Sequence, residues 1–264
     1  MTEVGYAESR DGTVVGYETI GDGPPMVLVH GAAVDRRCWA PVLPRLAEHF
    51  TVHVMDRRGR GHSAREGGPY AVEREGEDIA AVVEAAGRDV FLVGHSYGAV
   101  CSLYAAVATD AIGRLVLYEP PITTPWREAA SPELLERLRG LAGVEDYDRL
   151  LETVFRDVIG LSQRQVDALR GARRFWAAHL GNAPPLVRES ESVPRIEDCA
   201  RFAPIRVPVR LLVGEASPPY QRPTADALAR VLTGAEVVEL PGQGHMAMTA
   251  DPDLFVKALT TFAG

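Results

Sequence analysis

A glycine-flanked serine between an apolar run and a helical pattern constrains the fold of this chain most strongly. Residues 94–98 read GHSYG, the residues before them read DVFLV, and residues 99–107 have a helical pattern. A strand that becomes a helix within so few residues needs a tight turn, and Gly94 and Gly98 avoid collisions there. The pattern therefore predicts a buried strand, a sharp turn that lifts the Ser96 hydroxyl above the sheet, and a helix that begins beneath it.

Strand-like and helical patterns alternate along most of the chain. The strand-like segments are residues 13–19, 26–29, 51–55, 90–93, 115–118, 209–213 and 236–240. The helical segments are residues 39–48, 72–86, 99–109, 223–232 and 253–262. Several strands are almost continuously apolar, which is typical of strands buried on both faces. We therefore predict an α/β fold: a mostly parallel central sheet with helices on both faces, preceded by a short antiparallel lead-in.

One segment, residues 122–202, interrupts this alternation. It contains helical patterns at residues 132–141, 147–159 and 163–180 and no strand-like run. We expect it to be an inserted helical cap over the mouth of the sheet, between core segments 1–121 and 203–264. Its aromatic and imidazole side chains either line an apolar substrate pocket or pack within the cap. The candidates for substrate binding are Trp126, Phe175, Trp176 and His179.

Charge and motif content exclude several classes of function. The formal net charge of −8 disfavours nucleic acid and anionic membrane partners. No apolar run is long enough to span a bilayer, and the N-terminal residues do not resemble a secretion signal, so we expect a cytoplasmic protein. Cys38, Cys101 and Cys199 lack zinc-ligand spacing and are expected to be reduced thiols. Nucleotide-binding and metalloprotease motifs are absent, so neither a cofactor nor a metal is predicted.

A serine hydroxyl needs a general base before it can act as a nucleophile. His245 follows the glycine-rich residues 241–244, directly after the strand-like segment 236–240. The carboxyl ends of parallel strands meet at one edge of the sheet, so His245 and Ser96 are expected to meet there. His245 is the predicted base, with an ordinary loop histidine as the alternative.

The loop after the strand-like segment 26–29 supplies a candidate for stabilising negative charge. It reads His-Gly-Ala over residues 30–32, and Gly31 allows the chain to turn back toward Ser96. The backbone amides of Ala32 and Tyr97 would then form an oxyanion hole. The alternative is a plain turn from strand to loop.

Four blocks in this order resemble the α/β-hydrolase family, in particular its lidded serine esterases. They are residues 29–32, 55–63, 94–98 and 242–245, and the resemblance covers nearly the whole chain. It implies an enzyme that cleaves a carboxylic ester through an acyl-enzyme on Ser96. In that family the block corresponding to residues 55–63 shapes a loop, so we assign it a structural role here.

In this family a third catalytic residue, an acid, orients the histidine, and this chain departs from the family pattern at its usual position. The family most often supplies an aspartate after the strand corresponding to residues 209–213, but Ser217 stands at that position. Some members take their acid from the end of the preceding strand, which here is Glu119, directly before two prolines. The predicted catalytic residues are therefore Ser96, Glu119 and His245. Glu215, or no acid at all, remains the alternative.

The expected partner is a small-molecule substrate with a small to medium apolar part. A thioester or a lactone is chemically close to an ester, and the four blocks do not separate them. The same scaffold also supports cofactor-free peroxidase or lyase chemistry, biosynthetic acyl transfer or cyclisation, and non-catalytic ligand binding. Hydrolysis is favoured because it is the commonest use of the fold, and the presence of both Ser96 and His245 argues against a non-catalytic binding protein.

Overall fold

An eight-stranded sheet crosses the part of the protein that its computed structural model describes, which is residues 3–64 and 68–263. The strands lie in the order β1-β2-β4-β3-β5-β6-β7-β8. Their bounds are β1 Glu3–Glu8, β2 Val14–Ile20, β3 Pro25–Val29, β4 Thr51–Met55, β5 Val90–His95, β6 Ile112–Tyr118, β7 Val209–Gly214 and β8 Glu236–Leu240. Only the pairs β1–β2 and β2–β4 are antiparallel, so the prediction of a mostly parallel sheet is confirmed.

Helices cover both faces of this sheet, as predicted. Their bounds are α1 Leu43–Leu46, α2 Val72–Ala86, α3 Tyr97–Ala108, α4 Pro132–Gly143, α5 Tyr147–Thr153, α6 Gln163–Gly171, α7 Arg173–Leu180, α8 Leu186–Glu191, α9 Gln221–Val231, α10 Ala247–Ala250 and α11 Pro252–Ala263. Alternate residues of β3 enter two different apolar clusters: Val27 packs with α2 and α3, whereas Leu28 packs with α11. Among the described residues, no helix combines the length and apolar character needed to cross a membrane.

The register of the parallel strands aligns their carboxyl ends. Val29 of β3 pairs with Gly94 of β5, and His95 at the end of β5 pairs with Tyr118 at the end of β6. Gly214 at the end of β7 pairs with Leu240 at the end of β8. The loops that follow these strands therefore lie along one edge of the sheet, which is where ligands bind in open α/β folds.

A helical insertion, residues 122–202, lies between β6 and β7. All of its residues are described, and it contains helices α4 to α8 but no strand. The chain enters and leaves it side by side, because Thr123 and Arg195 form an isolated parallel bridge. Apolar residues of the insertion form a third cluster, which also contains Ala33 from the loop after β3. This contact holds the insertion against the functional edge of the sheet.

Some elements differ from the sequence-based expectation. Strand β1 was not predicted, and neither was helix α8. The prediction of one helix over residues 163–180 was wrong, because Ala172 leaves the helical region (ψ 71°) and separates α6 from α7. The predicted helix over residues 39–48 is a short turn, Arg36–Trp39, followed by α1. Pro41 and Pro44 lie within it, and a proline in a helix interior removes a backbone hydrogen bond.

Candidate active site

Ser96 occupies a strained turn between β5 and α3. Its backbone has φ 53° and ψ −125°, a left-handed conformation that L residues rarely adopt. Its N–H donates to the carbonyl of Tyr118 at 2.8 Å, which ties the turn to β6. A Cβ at Gly98 would lie 2.3 Å from the carbonyl oxygen of His30, so only glycine fits there. The predicted strand, sharp turn and helix are therefore present, and Ser96 lines a cavity at the carboxyl edge of the sheet.

A buried carboxylate contacts His245. Glu119 follows β6 in a left-handed conformation (φ 48°), and its side chain is fully buried. Its Oε1 accepts the N–H of Gly214 at 2.8 Å, and its Oε2 lies 2.6 Å from Nδ1 of His245. Since a carboxylate only accepts hydrogen bonds, Nδ1 carries the proton of this contact, and Nε2 is the nitrogen that has a free lone pair in the neutral imidazole.

The two other candidates for the acid position form no hydrogen bond or ion pair with His245 among the described residues. Glu215 is exposed, and its carboxylate accepts the N–H of Gly242 at 2.6 Å. The Ser217 hydroxyl lines the cavity but is buried without a hydrogen-bond partner among the described residues. The carboxylate that is hydrogen-bonded to the imidazole is therefore that of Glu119.

The side chains of His95 and Tyr118 hold the backbone of the His245 loop by hydrogen bonds. The Nε2–H of His95 donates to the carbonyl of His245 at 2.8 Å, and the two imidazole centres are 4.6 Å apart. The Tyr118 hydroxyl donates to the carbonyl of Gly244 and accepts the N–H of Ala247. Sequence reasoning did not assign these roles. The sequence did contain a signal for them, because each is a polar residue at the end of a buried strand.

The peptide between Gly31 and Ala32 is oriented by hydrogen bonds to its carbonyl. The Gly31 oxygen accepts Nδ1–H of His30 at 2.8 Å and a guanidinium N–H of Arg57 at 3.1 Å. Because a trans peptide holds its C=O and N–H in opposite directions, the Ala32 N–H points away from Arg57. Gly31 also lies against the serine, since a Cβ there would be 2.9 Å from Cβ of Ser96.

The backbone amides of Ala32 and Tyr97 are free donors in the loops next to Ser96. Both residues line the cavity, and neither amide donates a hydrogen bond within residues 3–64 and 68–263. Tyr97 is the first residue of α3, where backbone N–H groups have no partner inside the helix. These amides are thus available to an oxygen atom bound next to the serine.

Buried ion pairs connect the block at residues 55–63 to the helical insertion. Arg57 donates to Glu75 of α2 and to Glu189 of α8, at 2.6 and 2.7 Å. Arg60 lies 2.8 Å from the same carboxylate oxygen of Glu189. Burial alone would raise the pKa of Glu189, but the charges of Arg57 and Arg60 outweigh it and lower the pKa. The block is structural, as expected, and it also joins the insertion to the core.

The four cap residues predicted to bind substrate lie outside the cavity. Its volume is about 550 Å³, and its apolar wall in the insertion includes Val154, Val158, Ile159, Leu161, Leu186 and Val193. Trp176 donates its indole N–H to Asp148 at 2.7 Å, and the ring of His179 packs on those of Phe155 and Phe175. Trp126 and Phe175 are exposed. Trp176 and His179 thus contribute to packing within the insertion.

The buried histidines make the stability of the fold sensitive to mild acid. Burial and the charges of Arg57 and Arg60 lower the pKa of His30, and burial and His245 lower the pKa of His95. The unfolded chain gains these protons near pH 6.5, so stability is full above that pH and falls below it. We expect the free energy of unfolding in urea to be lower at pH 5.5 than at pH 7.5, by on the order of 1 kcal/mol for each of these two histidines. In His95→Gln this difference should be smaller than in the wild type, and equal stability at both pH values would contradict the account.

The sheet, the serine turn and the buried carboxylate–imidazole pair define an α/β enzyme of hydrolase type. The chain belongs to the alpha/beta hydrolase family, whose model matches residues 26–258. A solved alpha/beta hydrolase from Sphaerobacter thermophilus is 36% identical, has a TM-score of 0.88, and covers 98% of this chain and 100% of its own.

Two curated relatives carry names that describe hydrolysis. The pimeloyl-[acyl-carrier protein] methyl ester esterase of Xanthomonas oryzae pv. oryzae is 28% identical over 254 residues, which is 93% of this chain and 97% of the relative. The 2-(acetamidomethylene)succinate hydrolase of Mesorhizobium japonicum is 28% identical over 256 residues, which is 92% of this chain and 88% of the relative. The relatives are thus named esterases and hydrolases, in agreement with the predicted enzyme class.

Proposed function

We propose that this chain is a serine hydrolase that cleaves a carboxylic ester, thioester or lactone through an acyl-enzyme on Ser96. One observation carries the proposal: the buried carboxylate of Glu119 lies 2.6 Å from Nδ1 of His245, in the wall of the cavity that Ser96 also lines. A carboxylate in this position holds the imidazole in the tautomer that accepts a proton at Nε2, and it stabilises the imidazolium that forms.

Acylation begins when Nε2 of His245 takes the proton of Ser96 and the serine Oγ attacks the substrate carbonyl carbon. The side chains of Ser96 and His245 share no hydrogen bond among the described residues, and such contacts often tighten only when substrate binds. Negative charge then develops on the carbonyl oxygen. The amides of Ala32 and Tyr97 donate to that oxygen, and the N-terminus of α3 adds its positive end.

Acylation is complete when the bond from the former carbonyl carbon to the leaving oxygen or sulfur breaks. The imidazolium gives its proton to that leaving atom, and the carbonyl re-forms as the acyl-enzyme. Deacylation uses the same groups: a water molecule loses a proton to Nε2 of His245 and attacks the acyl carbon. Ser96 recovers its proton from the imidazolium as the acid departs. Neither a metal nor an organic cofactor is required for this sequence of steps.

The cavity supports a substrate of small to medium size. Its volume of about 550 Å³ lies within the range of small-molecule sites, and aliphatic side chains of the insertion form much of its wall. The segment 122–202 would act as the cap that separates the acyl chain from solvent. The name of the Xanthomonas relative, a methyl ester esterase, supports an ester, and that of the Mesorhizobium relative supports hydrolysis more generally.

Turnover of a chain-length series of 4-nitrophenyl esters tests this function. We expect saturable release of nitrophenol from short and medium acyl chains, and falling kcat/KM once the chain exceeds the cavity. A matched series of thioesters and lactones would rank the three substrate classes. A folded protein that hydrolyses none of them would contradict the proposal.

A further inference from the structure

We propose that Arg127 binds a carboxylate of the substrate, so that the enzyme acts on a short ester, thioester or lactone that carries an acidic group. This inference rests on the proposed function and specifies its substrate class. Arg127 lies in the helical insertion, is half-buried, and lines the same cavity as Ser96 and His245. It forms no ion pair within the described parts of the chain, residues 3–64 and 68–263.

The other charged side chains of the cavity wall are already paired. Glu119 accepts hydrogen bonds from His245 and from the amide of Gly214. Glu189 is paired with Arg57 and Arg60. Arg127 is thus the charged side chain of this wall that has neither an ion pair nor a side-chain hydrogen bond among the described residues, so an anionic group of the substrate would be attracted to it. Such a local cation matters in a chain whose net charge of −8 otherwise repels anions.

The backbone of Arg127 is fixed. Its N–H donates to the carbonyl of Thr124 at 3.1 Å, and the N–H of Thr124 donates back to its carbonyl at 2.9 Å. The neighbouring Thr123 is held in turn by Pro194 and Ile196, so both ends of the insertion support this segment. A side chain that starts from a fixed backbone loses less conformational freedom when it binds a ligand.

The guanidinium of Arg127 also lies near an aromatic ring of the cavity wall. Its central carbon lies 5.9 Å from the centre of the Tyr220 ring, and Tyr220 lies between β7 and α9 in the chain. An aromatic face stabilises the cation but uses none of its five N–H donors. These donors match the two oxygens of a carboxylate, which a guanidinium binds through two parallel hydrogen bonds.

A matched pair of esters tests the proposal. The 4-nitrophenyl monoester of glutaric acid carries a carboxylate, and its methyl-capped diester has the same chain without the charge. In the wild type we expect kcat/KM to be about 10- to 100-fold higher for the acid, mainly through KM, because a charged hydrogen bond contributes about 1.5–3 kcal/mol. Arg127→Gln should bring the ratio of the two values close to one, and Arg127→Lys should give an intermediate ratio.

A matched control removes the same charge outside the cavity. Arg173 is an exposed arginine at the start of α7, and Arg173→Gln should keep the wild-type ratio. Calorimetry provides a readout that needs no turnover: glutarate should bind to Ser96→Ala, and tenfold or more weakly to Ser96→Ala/Arg127→Gln.

The outcomes separate this inference from the proposed function. If the wild type hydrolyses both esters and Arg127→Gln keeps the wild-type ratio of kcat/KM values, the proposed carboxylate site is contradicted and the proposed hydrolase function is not. If no ester is hydrolysed but glutarate binding depends on Arg127, the proposed hydrolase function is contradicted and the proposed carboxylate site is not. Equal rates on both esters in the wild type, with no glutarate binding, would overturn the carboxylate site.

Discussion

Ser96→Ala is expected to lower kcat for the best ester by about 10⁵- to 10⁶-fold, to a rate set by the remaining binding groups alone. No nearby group replaces the hydroxyl. Cys101 is on the same helix, but it is fully buried, and burial raises the pKa of its thiol. Alanine adopts the backbone conformation of Ser96 no more easily than serine, so the variant should fold with unchanged thermal stability. Steady-state turnover and a melting curve measure the two quantities.

Ser131→Ala is the matched control for this experiment. Ser131 is the N-cap of α4, where its hydroxyl accepts the N–H of Leu134, and it is absent from the wall of the cavity that Ser96 lines. Loss of that cap should cost about 1 kcal/mol of stability and leave kcat unchanged. If Ser96→Ala kept more than about one hundredth of the wild-type kcat, another group would have to be the nucleophile.

Glu119→Gln is expected to lower kcat by about 10³- to 10⁴-fold, because a neutral amide neither stabilises the imidazolium nor holds the correct tautomer. The glutamine oxygen can still accept the Gly214 N–H, so the fold should survive the change. The measurement is kcat for the best ester, with the near-ultraviolet circular dichroism spectrum recorded on the same sample. The effect should appear in kcat more than in KM, since Glu119 acts on the imidazole.

Two further variants locate the acid. Glu215→Gln removes an exposed carboxylate that bonds the Gly242 amide, and we expect kcat to remain within about threefold of wild type. Ser217 stands where the resembling family most often has its aspartate, and it lines the same cavity. Adding Ser217→Asp to Glu119→Gln should therefore recover about tenfold or more of the lost activity. If Glu215→Gln lost most of its kcat and Glu119→Gln kept it, the acid would be Glu215 and not Glu119.

The sheet and the serine turn were predictable because their signals are local. Buried parallel strands are almost continuously apolar, and the GHSYG sequence follows one of them directly. Chain order then places His245 at the same edge, because every parallel strand ends there. Glu119 was predicted because some members of the family take their acid from the end of this strand, and because a residue that follows β6 lies at the same edge. Its left-handed backbone and its bond to the Gly214 amide had no signal in the sequence.

The insertion could not be predicted to the same depth. Its helices pack on each other, on the core and around the cavity, so a helical pattern does not say which face meets the substrate. Trp176 and His179 were therefore predicted to bind substrate, although they pack within the insertion. The pairing of Arg57 with Glu189 joins residues that are 132 positions apart, and no local pattern predicts it.

The rate at which a fluorophosphonate labels Ser96 tests the central claim most directly, because the reaction needs the nucleophile, the base and the acid together but no natural substrate. Peptide mass spectrometry identifies the labelled residue, and a time course gives the rate. We predict labelling at Ser96 in the wild type and in Glu215→Gln at equal rates, and labelling at least about 100-fold slower in Glu119→Gln. A label on another residue, or a Glu119→Gln protein that reacts as fast as the wild type, would contradict the account.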